Sequence, residues 1–562
     1  MIRTIKTMDE KAIRKHAYAE YRRWLENTKG DPYHEKLTDI KDNPDEITDA
    51  FCREITFGTS GIRGLIGPGT NRINKYVVRR ITQGICDYLK TTHKPVTVVI
   101  GYDSRRGSRY FAYEAASVFR GNLIKPYLFK DIVPVSLLSF AIKKLGCDLG
   151  VMITASHNPK IYNGYKVYSA EGHQISDDVV RDIQKEITKN DYFGSDIFMD
   201  NKSGIYQADE ELKHEFADKI VSLSTIKDKS VFDDFKVVYT PLHGAGIESF
   251  KEVFDKVGIN YEAVPSQATP DKEFPTCPVP NPEKIMAYNE SFKWLDEHGG
   301  DIIVATDPDS DRVGCAIKHD GMRTVLTGNQ TGILLLDYLC HIKPPRPGQI
   351  MIKSIASSPL AAKIAERNGL KVLDTMSGFR HIGEIMDDLA SADKIDDFYF
   401  AFEESDGYLV DPFIEEKDGI SAALYICEMA AFHKKMGKNL IERLYELYNE
   451  YGICVDKTRN YFFSGAAGER TIASIMDFFR TNVNQSIGGR KIVRKTDHLM
   501  SESGMKADCV EFDLDDSSKL IIRPSGTEPI IKIYSFETCD FTDVEKDIAD
   551  IVDRFKTVMK DN

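Results

Sequence analysis

Apolar and polar positions follow a repeating order along most of the chain: an apolar strand, a polar turn and then an amphipathic helix. Clear units of this kind cover residues 95–122, 234–258, 348–369 and 370–390. The first of them is PVTVVIGYDSRRGSRYFAYEAASVFRGN. Strands that alternate with helices in this way are typical of parallel sheets with crossover helices. The pattern therefore predicts an α/β protein.

Breaks in the pattern divide the chain into parts. The breaks are a polar stretch at 224–235, the proline-rich HIKPPRPGQ at 341–349, and the segment 451–460, after which the α/β units give way to mixed strands and helices. We predict three similar mixed α/β domains and a smaller C-terminal α+β domain. The predicted parts are a helical extension at 1–50 and domains at 51–230, 231–343, 344–455 and 456–562.

Composition narrows the class of protein. The chain has 562 residues and a formal net charge of −13, which argues against nucleic acid or an anionic membrane as the main partner. No apolar stretch has the length of a membrane span, and the charged N-terminus lacks the apolar segment of a secretory signal. Ten cysteines are scattered without a C-x-x-C pair, which indicates reduced thiols and predicts a cytoplasmic protein.

The first loop with candidate chemistry is TASHNP at 154–159, which follows a short apolar strand at 151–153. It places Ser156 and His157 side by side at the carboxyl end of a strand, where α/β folds bind their ligands. A serine hydroxyl is a weak nucleophile unless a base or strong electrostatics assists it. A capped turn is the structural alternative, but the NGYK that follows at 163–166 favours a functional loop.

The second loop is acidic. The apolar strand at 301–306 runs into Asp307, Asp309 and Asp311, and carboxylates this close together repel one another in a partly buried site. They need a cation, and hard oxygen ligands suit Mg²⁺ or Ca²⁺. An EF-hand is excluded because its glycine and glutamate positions hold Arg312 and Lys318. A solvated acidic turn is the structural alternative, but the apolar strand that runs straight into the loop favours a magnesium site.

A third loop follows the predicted strand at 398–402. Glu403, Glu404 and Ser405 sit at its end, where they can hydrogen-bond to sugar hydroxyls, although a surface turn has the same pattern. Lys417 lies further on, in a Lys-Asp-Gly turn before a helix. A lysine without a function in such a turn is expected to be exposed to solvent.

A fourth loop, RPSGTEP at 523–529, lies between two apolar strands. Arg523 can grip a phosphate with two parallel hydrogen bonds. Ser525, Thr527 and the backbone amides around Gly526 can form an anion-binding nest, which makes phosphate binding a better interpretation than a plain hairpin turn. FGTSGIRG at 57–64 places Arg63 after two turn glycines and carries little weight by itself.

Taken together, these loops resemble those of the α-D-phosphohexomutases, a family that includes phosphoglucomutase and phosphomannomutase. TASHNP is similar to the family's phosphoserine loop, DPDSDR to its metal loop, FEES to its sugar loop and RPSGTEP to its phosphate loop, in the family's order. FGTSGIRG, TPLHGAG and TMSGFRHIG also match. The branch with cytosolic α-phosphoglucomutases and phosphopentomutases is the most similar. The resemblance implies four domains around one central cleft.

The resemblance also implies a role for each matching residue. Ser156 matches the serine that is phosphorylated in the resting enzyme, and its phosphoryl oxygen joins Asp307, Asp309 and Asp311 as a Mg²⁺ ligand. The matches beside the reaction centre are Arg63, His157, Lys166 and Lys417. The substrate-binding matches are Arg312, which lies beside the metal, Ser377, Gly378, Arg380, Lys417 and the sugar contacts Glu403 or Glu404 with Ser405. The phosphate-binding matches are Arg523, Ser525, Gly526 and Thr527. Arg380 stands where related enzymes often have lysine.

The implied activity is the reversible interconversion of α-D-glucose 1-phosphate and glucose 6-phosphate through a phosphoserine. The implied cofactors are one Mg²⁺ and glucose 1,6-bisphosphate as the activating intermediate. The implied partners are small-molecule sugar phosphates, not nucleic acid or a membrane, and the oligomeric state is left open. Mannose and pentose phosphates remain alternative substrates. A sugar-phosphate phosphatase is a rival, although its nucleophile is usually an aspartate. A non-catalytic sensor is the other rival, but it would need neither a phosphorylatable serine nor metal carboxylates.

Overall fold

The computed structural model describes residues 10–58, 61–92, 95–200, 204–208, 210–463, 465–500, 507–525 and 530–558. Its strands form four sheets, which follow one another along the chain. We number the domains I to IV after these sheets.

The elements are as follows. The α-helices are α1 Glu10–Asn27, α2 Pro32–Asp39, α3 Pro44–Phe51, α4 Lys75–Leu89, α5 Ser108–Gly121, α6 Val135–Leu145, α7 Asp177–Ile187, α8 Glu211–Ser222, α9 Ile247–Val257, α10 Pro265–Ala268, α11 Asn289–His298, α12 Gly328–Ile342, α13 Pro359–Arg367, α14 Arg380–Ser391, α15 Gly419–Lys435, α16 Leu440–Tyr451, α17 Gly465–Thr481 and α18 Thr542–Val558. The strands are β1 Ile62–Leu65, β2 Thr97–Tyr102, β3 Lys125–Leu128, β4 Leu149–Ile153, β5 Tyr162–Tyr168, β6 Tyr206–Gln207, β7 Lys236–Thr240, β8 Asn260–Ala263, β9 Ile302–Thr306, β10 Val313–His319, β11 Met322–Val325, β12 Ile350–Ser354, β13 Lys371–Thr375, β14 Phe398–Glu403, β15 Gly407–Leu409, β16 Val455–Phe462, β17 Ser486–Ile487, β18 Arg490–Asp497, β19 Val510–Leu514, β20 Lys519–Pro524 and β21 Ile530–Glu537.

Domain I is built on a sheet with the order β1-β5-β4-β2-β3-β6. The strands β4, β2, β3 and β6 are parallel, while β5 runs antiparallel to both β4 and β1. The central strands β2 and β4 are almost wholly buried, as expected for a parallel sheet with helices on both faces. The buried Trp24 of α1 packs against Phe51 of α3 and so joins the N-terminal helices to this domain.

Domains II and III repeat the α/β plan with smaller sheets. Their strand orders are β11-β10-β9-β7-β8 and β13-β12-β14-β15. In each, a parallel core is extended by antiparallel strands that turn back directly after a functional loop. Helix α15 of domain III is almost completely buried, and Asp418 caps its N-terminus by accepting hydrogen bonds from Ile420 N and Ser421 N.

Domain IV differs from the first three. Its sheet has the order β16-β21-β20-β19-β18-β17, and every pairing is antiparallel. It joins domain III where Asp456 of β16 accepts hydrogen bonds from Thr327 Oγ1 at 3.0 Å and Asn329 Nδ2 at 3.2 Å, at the start of α12. The predicted fold class, three α/β domains followed by a smaller α+β domain, is confirmed.

The hydrophobic cores show how the domains join. One buried cluster runs through domains I, II and III and includes residues of domain IV, namely Cys509, Ile521, Tyr534 and Phe536. A separate core lies within domain IV, between its sheet and α17 and α18. All ten cysteines are free thiols; eight are buried, Cys52 is partly exposed and Cys539 is exposed. Within the described residues, no helix has both the length and the apolar character needed to cross a lipid bilayer.

Candidate active site

The loop that carries Ser156 leaves the carboxyl end of β4 in a tight turn. Ser156 adopts a left-handed backbone conformation with φ of +51°, which is uncommon for a residue other than glycine. Its backbone N–H donates to Thr154 Oγ1 at 2.9 Å, and Thr154 Oγ1 in turn donates to Asp103 Oδ2 at 2.7 Å. These bonds hold the serine in one position at the end of the strand.

Arg105 clamps the same loop from the end of β2. It forms a buried ion pair with Asp103, and its guanidinium lies 5.1 Å from the ring centre of Phe274 in domain II. Its two terminal nitrogens donate to four backbone carbonyl oxygens of the loop, those of Ser156, Asn158, Pro159 and Tyr162. Arg105 was not among the predicted site residues. Its position at the carboxyl end of the strand next to β4 was the signal available in the sequence.

The serine hydroxyl points across a domain boundary. Ser156 Oγ donates to Asp307 Oδ2 in domain II at 2.6 Å, and His157 Nδ1 lies 3.2 Å from Ser156 Oγ. Burial, followed by the charges of Arg312, Arg63 and Lys532, holds the pKa of His157 well below its ordinary value. His157 is therefore a neutral imidazole at neutral pH.

The acidic loop follows β9, as its pattern predicts. Asp307, Asp309 and Asp311 are buried, and one carboxylate oxygen from each lies within 4.8 Å of the others. Gly244 supports the loop from below, because a Cβ on Gly244 would lie 2.4 Å from the Cα of Pro308. The close approach of the TPLHGAG loop therefore requires glycine there.

Two lysines from different domains balance the acidic charge. Lys166 Nζ of β5 donates to Asp309 Oδ2 at 2.7 Å and to Asp311 Oδ2 at 3.0 Å, and Lys417 Nζ lies 3.2 Å from Asp311 Oδ2. Burial and the two neighbouring carboxylates raise the pKa of Asp307 well above its ordinary value. Burial acts in the same direction on Asp311, but Lys166, Lys417 and Arg312 outweigh it and lower the pKa of Asp311.

Three observations fit this loop to a divalent cation. The donor set consists of carboxylates, which are the ligands that Mg²⁺ and Ca²⁺ prefer. The Oδ1 atoms of Asp309 and Asp311 are buried and have no hydrogen-bond partner among the residues that the structure describes. The hydroxyl of Ser156 lies against Asp307, so a phosphoryl group on this serine would stand beside the same carboxylates.

Two arginines flank the reacting serine. Arg63 of β1 is brought to the loop by the pairing of β1 with β5, and its Nη1 donates to Asn158 Oδ1 at 2.6 Å. Arg312 follows the acidic loop, where its guanidinium lies 3.6 Å from Glu283 and 3.8 Å from Asp311. Both predicted cations therefore lie beside the serine and the carboxylates.

The predicted sugar loop ends β14 in domain III. Glu403 Oε1 accepts a hydrogen bond from Gly378 N at 2.6 Å, and Glu404 Oε2 accepts one from Ser354 Oγ at 2.7 Å. Burial and the adjacent Glu404 raise the pKa of Glu403. Ser377 and Ser405 lie on the same wall and are partly exposed. The Oγ of Ser377 has no hydrogen-bond partner in the described part of the chain and can receive one from a ligand.

Lys417 and Arg380 lie in surroundings that the sequence did not predict. Lys417 is buried, not exposed in a turn, and its Nζ is 2.9 Å from Glu416 Oε1. Arg380 forms a two-point ion pair with Asp177 of domain I, at 2.5 and 2.9 Å. The partner of Arg380 could not be read from the local motif, since Asp177 lies about two hundred residues away in the chain.

The phosphate loop extends from β20 of domain IV. Arg523 Nη2 lies 2.9 Å from the hydroxyl of Tyr534 and 4.0 Å from Glu404 Oε1, so domains III and IV meet at this point. Its Nε is buried without a hydrogen-bond partner among the described residues, a donor suited to an anion. Ser525 N donates to Ile530 O at 2.8 Å. Gly526 and Thr527 lie outside the described residues.

Lys532 and Glu283 were missed by the sequence analysis. Lys532 of β21 lowers the pKa of His157, and its own pKa is lowered by burial and then by Arg523. Glu283 is a neighbour of Arg312. Lys532 follows the alternation of an ordinary strand and Glu283 lies in a loop without a motif, so neither has a local signal. With Arg312 and Arg523, Lys532 makes this part of the site cationic.

Comparisons with known proteins agree with this geometry. Models of the phosphoglucomutase/phosphomannomutase α/β/α domains I, II and III match residues 54–193, 214–321 and 327–451. The phosphoglucomutase of Staphylococcus aureus strain N315 is 34% identical over 534 residues, which cover 92% of this chain and 95% of that protein. The chain belongs to the phosphoglucomutase/phosphomannomutase family. Membership makes it an isomerase of the phosphotransferase type, and the resemblance seen in the loops is confirmed.

Solved structures show the same fold at lower sequence identity. A putative phosphomannomutase from Thermus thermophilus matches with a TM-score of 0.70 and 22% identity, over 89% of this chain and 99% of that one. The open form of pp63/parafusin from Paramecium matches with a TM-score of 0.64 and 18% identity, over 90% and 96% of the two chains. These likenesses concern the fold alone.

Proposed function

We propose that this family member is a phosphoglucomutase, which interconverts α-D-glucose 1-phosphate and glucose 6-phosphate through phosphorylated Ser156. The observation that carries the proposal is the 2.6 Å hydrogen bond from Ser156 Oγ to Asp307, which joins the candidate nucleophile to the acidic loop of another domain. The names of the relatives at 34% identity support glucose as the sugar.

The substrate would bind with its non-reacting phosphate at Arg523 and Lys532. Arg523 offers a planar fork that matches a phosphate, and Lys532 adds a second positive charge. Glu404 lies 4.0 Å from Arg523, and it and the adjacent Glu403 would accept hydrogen bonds from sugar hydroxyls. In this orientation, the 6-hydroxyl of glucose 1-phosphate faces Ser156.

Phosphoryl transfer would then take place in two half-reactions. In the first, the Oγ–P bond of phosphorylated Ser156 breaks, a P–O6 bond forms on the sugar, and the proton of the 6-hydroxyl passes to Ser156 Oγ. The resulting glucose 1,6-bisphosphate then rotates within the active site, so that its other phosphate faces Ser156. In the second, Ser156 Oγ attacks the other phosphorus and gives up its proton, the P–O1 bond breaks, and O1 takes up that proton to leave glucose 6-phosphate and phosphorylated Ser156. Arg63 and His157 border the reacting phosphoryl group throughout.

Asp307, Asp309, Asp311 and the phosphoryl group on Ser156 would hold Mg²⁺. Bound there, the ion would neutralise phosphoryl charge and polarise the bond that breaks. Lys166 and Lys417 contribute from the other side by fixing the carboxylates of Asp309 and Asp311.

The first experiment is Ser156→Ala, with conversion of glucose 1-phosphate to glucose 6-phosphate followed in a dehydrogenase-coupled assay. Because only a hydroxyl is lost, we expect the variant to fold and to lose nearly all activity. Intact-mass measurement after incubation with glucose 1,6-bisphosphate should show one added phosphoryl group in the wild type and none in the variant. Ser474→Ala, on an exposed face of α17, is the matched control. Normal turnover of Ser156→Ala would disprove the proposal.

The substrate is tested separately by comparing kcat/KM for glucose 1-phosphate, mannose 1-phosphate and ribose 1-phosphate. We expect glucose 1-phosphate to be preferred. A preference for mannose or ribose would keep the phosphoserine mechanism and change the sugar. Release of inorganic phosphate at the rate of substrate consumption would instead indicate a phosphatase.

A further inference from the structure

We propose that Lys353 and Ser354 are positioning residues for sugar selectivity, because together they fix the orientation of the Glu404 carboxylate. The inference rests on the proposed function, in which Glu404 accepts a hydrogen bond from a sugar hydroxyl. Lys353 and Ser354 are the last two residues of β12, which lies between β13 and β14 in the sheet of domain III. Neither residue takes part in the phosphoryl transfer described above.

Lys353 occupies a position where a strand such as β12 ordinarily carries an apolar side chain. The strand is paired in parallel on both sides, and strands of this kind are usually continuous apolar runs. It begins with Ile350, Met351 and Ile352, but Lys353 follows and is only 4% exposed. A buried ammonium group costs free energy unless polar groups surround it. The presence of lysine here is therefore explained by the groups that it contacts.

The ammonium group of Lys353 joins the ends of two neighbouring strands. Its Nζ donates to the carbonyl oxygens of Ser354 at 3.3 Å and Ser357 at 3.2 Å, which closes the turn after β12. The same nitrogen lies 2.8 Å from Asp374 Oδ1 on β13. Because three oxygens from two strand ends surround one nitrogen, the turn after β12 is held in a fixed position relative to β13.

The turn that Lys353 closes carries the hydrogen bond to Glu404. Ser354 Oγ donates to Glu404 Oε2 at 2.7 Å. Because the only proton of this hydroxyl is used there, the 3.1 Å contact between Ser354 Oγ and Ser357 Oγ takes its proton from Ser357. Both serines are buried, so solvent does not replace these bonds. If the turn moved, Glu404 would lose the donor that holds it.

The second oxygen of Glu404 is the one available to a sugar. Glu404 Oε1 lies 4.0 Å from Arg523 Nη2, on the side of the proposed phosphate site. With Oε2 held by Ser354, the carboxylate has one orientation, and a fixed acceptor distinguishes sugars whose hydroxyls point in different directions. A loosely held carboxylate would follow the hydroxyl of a wrong sugar. Loss of Lys353 or Ser354 should therefore lower selectivity.

The test compares kcat/KM for glucose 1-phosphate with that for mannose, allose and galactose 1-phosphates, which differ from glucose at C2, C3 and C4. An epimer that is not converted is compared through its Ki as an inhibitor. For at least one epimer, Lys353→Met and Ser354→Ala should each reduce the preference for glucose by about tenfold. The double variant should reduce it no further than Lys353→Met alone, since both changes act on the same carboxylate.

Exposed positions supply the controls. Lys371→Met, at the start of β13, and Ser391→Ala, at the end of α14, should keep the selectivity of the wild type. Circular dichroism checks that the Lys353 variant folds, and if it does not, the isosteric change Ser354→Ala decides.

A purely structural role would lower the melting temperature and leave every selectivity ratio unchanged. The proposal is overturned if all three ratios in folded Lys353→Met, or in Ser354→Ala, equal those of the wild type. The proposed function is judged separately, on the preference of the wild type for glucose 1-phosphate, so either can fail without the other.

Discussion

At the scale of single residues, the candidate site depends on charged side chains that have no contact with the serine hydroxyl. Arg105 fixes the backbone of the serine loop through four carbonyl oxygens. Lys417 forms ion pairs with two carboxylates, those of Asp311 and Glu416. Both side chains are buried, so their loss changes position and charge at the site without changing the nucleophile.

Arg105→Lys should lower kcat/KM for glucose 1-phosphate by about tenfold or more. Lysine keeps the charge but cannot place donors on all four carbonyls, and each hydrogen bond from a charged group is worth about 1.5–3 kcal/mol. Steady-state kinetics of both reaction directions would measure the loss. Arg106→Lys, at the exposed neighbour that pairs with Glu273, is the control. Equal kinetics for the two variants would contradict a clamping role.

Lys417→Met should reduce both turnover and stability. Removing this lysine leaves Glu416 buried without its ion-pair partner, and breaking such a pair typically costs about 3 kcal/mol or more. The melting temperature should therefore fall, whereas loss of an exposed turn lysine would leave it unchanged. Differential scanning calorimetry of this variant beside the exposed-site control Lys435→Met separates the two expectations.

At the scale of elements, the pairing of β1 with β5 brings Arg63 to the serine loop. The bend before β1 passes so close to β5 that a Cβ on Gly61 would lie 1.9 Å from the carbonyl oxygen of Tyr165. Gly61 also has a φ of +77°, which favours glycine.

Helix α15 buries the imidazole ring of His433 in its last turn. Neither ring nitrogen has a hydrogen-bond partner in the described part of the chain.

Gly61→Ala should displace β1 and lower kcat/KM along with the melting temperature. Gly30→Ala is the matched control, because Gly30 has a similar φ of +81° but nothing within 4 Å of the added methyl group. The control should show only the backbone cost of about 1–2 kcal/mol and keep normal kinetics. If the two variants have the same activity, the close approach of β1 to β5 does not position Arg63.

His433 should make the fold sensitive to acid. Burial lowers its pKa to about 4, so the folded protein keeps the ring neutral while the unfolded chain takes up a proton near pH 6.5. Stability is therefore full above pH 6.5 and falls as the pH drops towards 4, by about 2 kcal/mol at pH 5. His433→Leu should show a smaller loss of melting temperature between pH 7.5 and 5 than the wild type. His214→Gln, at an exposed site on α8, should behave as the wild type does.

At the scale of the whole molecule, the acidic loop is a junction of three domains. Val135 N of domain I donates to Asp309 O at 2.9 Å, and Gly419 N of domain III donates to Ser310 O at 3.0 Å. Arg380 and Asp177 add a direct ion pair between domains I and III. The site therefore forms only where the domains meet, and the stability of their contacts sets its geometry.

Arg380→Met and Asp177→Asn should have equal effects, since each breaks the same ion pair. We expect each to lower the free energy of unfolding by about 1 kcal/mol, seen as a small drop in the midpoint of the first thermal transition, and the double variant to lower it no further. The KM for glucose 1-phosphate should be the same in both single variants. A rise in KM confined to Arg380→Met would instead return Arg380 to the substrate contacts that the sequence motif predicts.

Sequence patterns predicted the parts of the site that are local. The three aspartates and Ser156 each follow an apolar strand, so the position of a strand end was enough to place them. The burial of Lys417 and the partner of Arg380 depend on domains that lie far apart in the chain, and no local pattern reports that contact. Lys532 also has no local signal, because its charge lowers the pKa of His157 only through the approach of domain IV to the serine loop.

The distribution of cysteine side chains has a practical consequence. Cys52 lies just after α3 in the first domain and Cys539 lies just after β21 in the last, and the other eight thiols are buried. A maleimide dye pair should therefore label these two positions in the native chain without any engineered cysteine. Energy transfer between them would show whether the separation of domains I and IV changes when a sugar phosphate is added, and the reaction rate of the buried thiols would measure how often the fold opens enough to expose them.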